Sequence, residues 1–208
     1  AVFGALRAGL VVVNTNPLYT PRELKHQLQD SGAKAIVILE NFANILETVI
    51  HETEVKHVIK TSIGEMLGFP KGMILNAALR YLKKAVPAYQ LPQAVTFSKA
   101  LERGGNASLA ETNLDHSDLA FLQYTGGTTG VSKGAMLTHG NMVANMQQSS
   151  AWLGGQINLG QEVIITALPL YHIFALTANC LVFLKFGGRN VLITNPRDMP
   201  GFVKALGK

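Results

Sequence analysis

Apolar and polar residues come in blocks along this 208-residue chain, and the period within the blocks switches between strand-like and helix-like. Residues 1–8 read as the end of a helix closed by Gly9, and Leu10–Val13 as a short buried strand. Asn14 to Pro17 then turn the chain. The next helix is marked by Thr20 as N-cap, Pro21 at the first helical position and Glu23 three residues after the cap, and it stops at Gly32. A β-rich run over Ala35–Leu39, a helix over Phe42–Ile50 and a strand over Val55–Ile59 follow. Strands alternating with helices at this spacing predict a parallel sheet with helices packed on its faces. Asn14, Asn16 and Tyr19 fall on a strand-to-helix loop and read as turn residues.

From Gly64 to Ser108 the pattern weakens into Gly, Pro and basic residues. The exception is Met73–Val86, which puts Ile74, Leu75, Ala78, Leu79 and Leu82 on one face and Asn76, Arg80, Lys83 and Lys84 largely on another. The favoured reading is a surface helix over the protein's own core; the alternative is a helix lying on an anionic membrane. Asp118–Gln123 and Ala135–Thr138 read as short strands, so the segment between them is a strand-to-strand connection. Asn141–Leu153 is helix-like, with Met142, Met146 and Trp152 expected in the core. Val163–Leu184 has no Asp, Glu, Lys or Arg and is long enough for a membrane span. Pro169, His172 and Asn179 argue against a span, and the better parse is strand Val163–Leu168, a loop at Pro169–His172 and a buried helix over Phe174–Lys185. A β-rich Asn190–Thr194 and a helix-like Pro200–Leu206 complete the pattern.

A hydrophobic content of 48% allows a sizeable core. The formal charge is 18 − 13 = +5, and residues 54–103 hold eight Lys/Arg against three Glu, so the excess sits in that stretch. A localised basic patch without interleaved stacking aromatics points away from nucleic acid. The single cysteine, Cys180, has no internal disulfide partner and lies in an apolar run, where a small core residue is expected and not a nucleophile. Beginning at Ala1 and ending just after a helix-like run, the chain reads as cut at both ends, so it carries no information on a leader peptide of its parent.

The chemistry concentrates in Tyr124–Ala135, a glycine- and hydroxyl-rich loop with one lysine. Gly126, Gly127, Gly130 and Gly134 permit positive φ and close backbone approach, so successive N–H groups can form an anion nest. Thr125, Thr128, Thr129 and Ser132 add uncharged donors, and Lys133 adds a mobile point charge suited to a departing pyrophosphate. A Walker A loop needs Gly-Lys-Ser/Thr opening a helix. Here Lys133-Gly134 leads into a strand, so that pattern fails on order and on context. Composition by itself favours a plain Gly/Thr hairpin with an exposed lysine.

Tyr124–Ala135 resembles the phosphate-binding signature of the adenylate-forming superfamily. Leu-Thr-His-Gly-Asn at 137–141, Ala-Leu-Pro-Leu-Tyr-His-Ile-Phe at 167–174 and Asn-Pro-Leu-Tyr-Thr-Pro-Arg-Glu-Leu at 16–24 fit the same superfamily in the same order, most closely its bacterial long-chain fatty-acid:CoA ligases. Gly126-Gly127 stands where the superfamily has Ser-Gly, and Ser132 where it has proline; both keep a flexible, donor-rich loop. The resemblance implies an α/β fold with parts of two stacked, mostly parallel sheets, residues 1–111 contributing to one and 112–208 to the other, with a basic, variable insertion near 61–108. It implies ATP phosphates held by Tyr124, Thr125, Gly126, Gly127, Thr128, Thr129, Gly130, Val131, Ser132, Lys133, Gly134 and Ala135, with Lys133 catalytic, and an acyl site near His172 and Phe174. Ala175, Thr177 and Ala178 would leave room for an alkyl chain.

The implied co-substrates are ATP with Mg2+, coenzyme A and a long-chain fatty acid, with no protein-bound metal site. The implied setting is cytoplasmic, with peripheral contact at the inner face of the plasma membrane, and a homodimer of the parent is compatible with it. Tyr-Gly-x-Thr-Glu, Thr-Gly-Asp and a later lysine-bearing lid domain are absent from these residues, so the segment is expected to be catalytically incomplete. Another adenylating enzyme, such as a short-chain or aryl-CoA ligase or a peptide-synthetase domain, or a non-catalytic nucleotide-binding module, remains the alternative.

Overall fold

The computed structural model describes residues 1–126 and 131–207. Among them the helices are α1 (Val2–Arg7), α2 (Pro21–Ser31), α3 (Ala43–Val49), α4 (Lys71–Ala77), α5 (Phe97–Gly105), α6 (His139–Leu153), α7 (Val182–Lys185) and α8 (Met199–Leu206), with 3-10 and π turns between them. The strands are β1 (Val12–Asn14), β2 (Ala35–Leu39), β3 (His57–Thr61), β4 (Val95–Thr96), β5 (Leu119–Thr125), β6 (Lys133–Thr138), β7 (Val163–Thr166) and β8 (Arg189–Leu192). They form three small sheets, ordered β1-β5-β6, β2-β3-β4 and β7-β8. The pairings β1 with β5, β2 with β3, β3 with β4 and β7 with β8 are parallel, as the alternating pattern requires.

The chain divides into two compact units. One holds residues 1–8, 15–112 and 126–134; the other holds 9–14, 113–125 and 135–208. In the first, β2 runs parallel to β3 from Ala35 opposite His57 to Leu39 opposite Thr61. Leu24 and Leu28 of α2 and Ala43, Leu46 and Val49 of α3 close over Val58, with Leu91 completing the core. Helix α2 has the boundaries its caps dictate. The Thr20 hydroxyl accepts from the Glu23 N–H while the Glu23 carboxylate accepts from the Thr20 N–H, and Gly32 closes the helix in the left-handed conformation at φ 62°.

The basic segment is more ordered than its sequence suggests. The Asn76 side chain accepts from the Gly64 N–H at 2.8 Å and donates to the Ser62 hydroxyl at 2.8 Å. Gly64 and Gly72 meet so closely that a Cβ on Gly72 would lie 2.1 Å from the Gly64 carbonyl oxygen. Burial pushes the Glu65 carboxyl up, but hydrogen bonds from the Ser98 hydroxyl and N–H at the start of α5, together with those from Thr61 and the Ser62 N–H, outweigh it and leave it below the usual carboxylate range.

The expected amphipathic helix over Met73–Val86 is corrected. After α4 the chain winds as a π-helix over Ala78–Leu82, with the Lys83 N–H reaching the Ala78 carbonyl. The wider turn breaks the 3.6-residue phase, so Leu75 and Leu79 are half-buried while Met73, Ile74 and Leu82 face outward.

In the second unit, Ala120, Phe121 and Tyr124 of β5 are buried together with Met142 of α6 and Ala175, Leu176, Val182 and Phe186 of the later helix. That helix starts at residue 173 and takes a π turn over Ala175–Leu181 before α7. Asn179 donates to the Thr166 hydroxyl at 3.3 Å, and that hydroxyl donates to Asn190 on β8 at 2.9 Å, so the buried polar groups of β7 are satisfied. No helix among the described residues is long and apolar enough to cross a membrane.

The core role expected of Trp152 is also corrected, since it is 87% exposed. The stripe through Met142, Met146 and Ser150 is the one α6 buries, and Trp152 projects roughly 120° round the helix from its centre. Cys180 is half-buried, and burial pushes its thiol up, away from nucleophilic use.

Candidate functional site

Strand β5 carries the candidate loop out of the sheet. Its residues Ala120, Phe121, Gln123 and Tyr124 are buried, whereas Thr125 and Gly126 emerge into the open. The pairing with β1 runs Val12 to Phe121, Val13 to Leu122 and Asn14 to Gln123. Gly127, Thr128, Thr129 and Gly130 lie outside the described residues. The chain resumes at an exposed Val131 and a half-buried Ser132, and Lys133, exposed, is the first residue of β6. The strand-to-strand connection therefore stands, with β5 and β6 neighbours in one sheet.

A Cβ added to Gly126 would meet nothing within 4 Å, and that residue does not take a positive φ. Gly134 is extended within β6. The positive-φ argument therefore fails at these two glycines, and at Gly126 the freedom is open space beside the backbone.

Two of the motifs that carried the resemblance prove to be joints. In Leu-Thr-His-Gly-Asn, the Thr138 hydroxyl accepts from the Asn141 N–H at 3.1 Å and the Asn141 side chain accepts from the Thr138 N–H at 3.0 Å, which caps α6. Gly140 donates to the His116 carbonyl at 2.8 Å, and a Cβ there would lie 2.7 Å from that oxygen. In the stretch 16–24, the Asn16 side chain accepts from the Leu18 N–H at 3.0 Å just before the α2 cap. Both explain glycine, threonine and asparagine by turn chemistry alone.

The loop before the π-bearing helix is tied to β5. The buried Gln123 side chain donates to the Tyr171 carbonyl at 3.1 Å and accepts from the Asn14 amide at 3.2 Å. Tyr171 and His172 are thus attached to the residue immediately before Tyr124. His172 caps its helix: its N–H reaches the Pro169 carbonyl at 2.9 Å, and its Nδ1 accepts from the Phe174 N–H at 3.3 Å. An accepting Nδ1 puts the proton of a neutral ring on Nε2. His172 and Phe174 are both exposed, and Ala175 behind them is fully buried. Thr177 and Ala178 are half-buried.

Asn14, Gln123 and His26 carry no sequence signal that marks them as site residues. His26, on α2, bonds through Nε2 to the Ser132 carbonyl at 2.9 Å. Each of these contacts joins residues more than a hundred positions apart, so no local pattern announces them. Among the described residues no three His, Cys, Asp or Glu side chains gather in a group that could hold a metal.

A lysine-bearing loop rising from a buried parallel strand accords with the family profile for AMP-binding enzymes, which matches residues 1–207. The chain belongs to that family. It is 59% identical over all 208 residues to a long-chain-fatty-acid–CoA ligase of Escherichia coli O6:H1, covering 37% of that protein. Among solved structures it is similar in fold to ATP-bound MatB from Rhodopseudomonas palustris, with TM-score 0.69 and 22% identity over 100% of this chain and 34% of that one. A long-chain-fatty-acid-CoA ligase from Archaeoglobus fulgidus gives TM-score 0.64 at 22% identity over 95% of this chain and 33% of that one. This member of the AMP-binding family thus spans a little over a third of the length of its curated relatives.

Proposed function

We propose that the chain is part of an AMP-forming long-chain fatty-acid:CoA ligase and supplies its ATP-phosphate loop and part of its acyl site. The observation that carries this reading is the 59% identity, across every residue of the chain, to a relative of that name. The emergence of the Lys133 loop from a buried strand supports it.

In the first step a fatty carboxylate oxygen attacks the α-phosphorus of ATP, the bond to the β-phosphate oxygen breaks, and pyrophosphate leaves with the electron pair. In the second, the coenzyme A thiolate attacks the acyl carbonyl carbon and AMP departs, leaving the thioester. Negative charge on the leaving pyrophosphate develops mainly in the first step, so the loop and its lysine act there by neutralisation and alignment. Magnesium, brought in with the nucleotide, would supply further charge neutralisation to its phosphates.

We assign the complete reaction to the full-length parent and expect this segment to be inactive alone. We also assign residues 1–111 and 112–208 to two subdomains of the parent's large domain. We place the parent in the cytoplasm, in contact with an anionic membrane surface through the basic segment. Exposed Phe69, Met73, Ile74 and Leu82 lie in sequence among exposed Lys71, Lys83 and Lys84, a combination suited to lipid headgroups and the acyl boundary below them.

The test is carboxylate-dependent pyrophosphate release by the full-length parent with ATP and magnesium. Palmitate or oleate should exceed acetate, benzoate and an amino acid, and Lys133→Ala should slow this release at least about tenfold while thioesterification of supplied acyl-adenylate falls less. Preference for another acid would keep the adenylation mechanism and move the substrate. No release with any acid would return the loop to a plain hairpin.

A further inference from the structure

We propose that His26 is a positioning residue that sets the direction in which Lys133 leaves the phosphate loop; this rests on the loop's role proposed above. The two residues stand far apart in sequence, and the link between them is the 2.9 Å bond from His26 Nε2 to the carbonyl oxygen of Ser132. A carbonyl oxygen only accepts, so Nε2 must carry the proton.

Ser132 C=O and Lys133 N–H belong to one planar peptide, with the oxygen and the hydrogen on opposite sides. Pinning the oxygen fixes that plane. It turns the Lys133 N–H away from His26 and fixes the bond from which the Lys133 side chain starts. The other side of Lys133 is already committed, because the residue opens β6. The lysine stem has several rotatable bonds, so an uncertain starting plane would multiply the places its ammonium group can reach.

The donor itself is immobile for reasons visible in α2. Leu24 and Leu28, on either side of His26, are 5% and 3% exposed in the core. The helix is capped at both ends, Lys25 pairs with Glu52, and the Gln29 amide donates to the Glu52 carbonyl at 2.8 Å. His26 therefore works from a fixed base on a loop that otherwise leaves Ser132 half-buried and Val131 in the open.

The experiment compares His26→Phe, which keeps ring bulk without a donor, with His26→Gln, whose amide nitrogen can replace Nε2, in the full-length parent. Each is assayed for carboxylate-dependent pyrophosphate release, for thioesterification of supplied acyl-adenylate, and for thermal midpoint. His26→Phe should lower kcat for pyrophosphate release roughly tenfold, the loss expected for one well-made hydrogen bond, with the KM for fatty acid and the thioesterification rate unchanged. His26→Gln should recover most of the rate.

The proposal is overturned if the Phe variant keeps the wild-type rate, if Gln is as slow as Phe while folded, or if both half-reactions fall together. Should the Phe variant lose its thermal midpoint, the folded Gln variant decides: a near wild-type rate supports positioning and a slow one overturns it. A wild-type parent silent with every acid removes the proposed function and this role with it. An active wild type with an indifferent Phe variant removes only the role of His26.

Discussion

Gln123 has a single side-chain amide and uses both ends of it. The oxygen takes the Asn14 amide from β1 and the nitrogen holds the Tyr171 carbonyl, so one buried residue joins two strands and a loop. Leaving a buried partner unsatisfied costs about 1–3 kcal/mol, more than such a bond adds when made. Gln123→Leu fills the space without either bond. In the full-length parent it should raise hydrogen exchange at residues 170–173 by roughly ten- to a hundredfold. Unchanged exchange there would mean that other contacts hold the loop. Neither Asn14 nor Gln123 reads as a pair in the sequence, where one looks like a turn residue and the other like the polar end of a strand. Their meeting depends on strand register, and register across 109 residues has no local signature.

At the scale of elements, legibility follows local chemistry. Strand β2 has the bounds its β-branched run predicts, and α2 begins and ends where Thr20, Pro21, Glu23 and Gly32 require. Strand β4 and helix α5 escape notice because two residues make no period and the apolar face of α5 is only Phe97, Ala100 and Leu101 on a nine-residue helix that ends in two glycines. The basic segment misleads for a different reason: the π turn over Ala78–Leu82 changes the period partway along.

That change also alters which substitutions probe membrane contact. Arg80 pairs with Glu40, so reversing it would break an internal ion pair, whereas Lys71, Lys83 and Lys84 are exposed. Replacing these three lysines by Glu in the full-length parent should abolish sedimentation with anionic vesicles and leave its thermal midpoint within about two degrees, as expected for exposed surface charges. Sedimentation equal to wild type would exclude this segment as the contact.

Across the whole chain, the family and the α/β class are legible because motifs and alternating elements survive in a partial sequence, as the match over residues 1–207 bears out. The path between units is not legible. Residues 9–14 group with 113–125 and 135–208, while 126–134 group with the earlier part of the chain. Neither unit is therefore a continuous stretch that a composition shift could mark.

This path has a consequence during synthesis. Strand β1 pairs with residues 121–123, made 109 positions after Val12, an interval of about 5–20 s at ordinary elongation rates. Nascent chains stalled before β5 has emerged should leave residues 9–14 open to protease, and chains stalled well beyond β6 should protect them. Equal cleavage in both would show that β1 finds another shelter. For those seconds Val12, Val13 and Asn14 have no strand to lie against, so the pace of translation bears on how much of the chain reaches its fold.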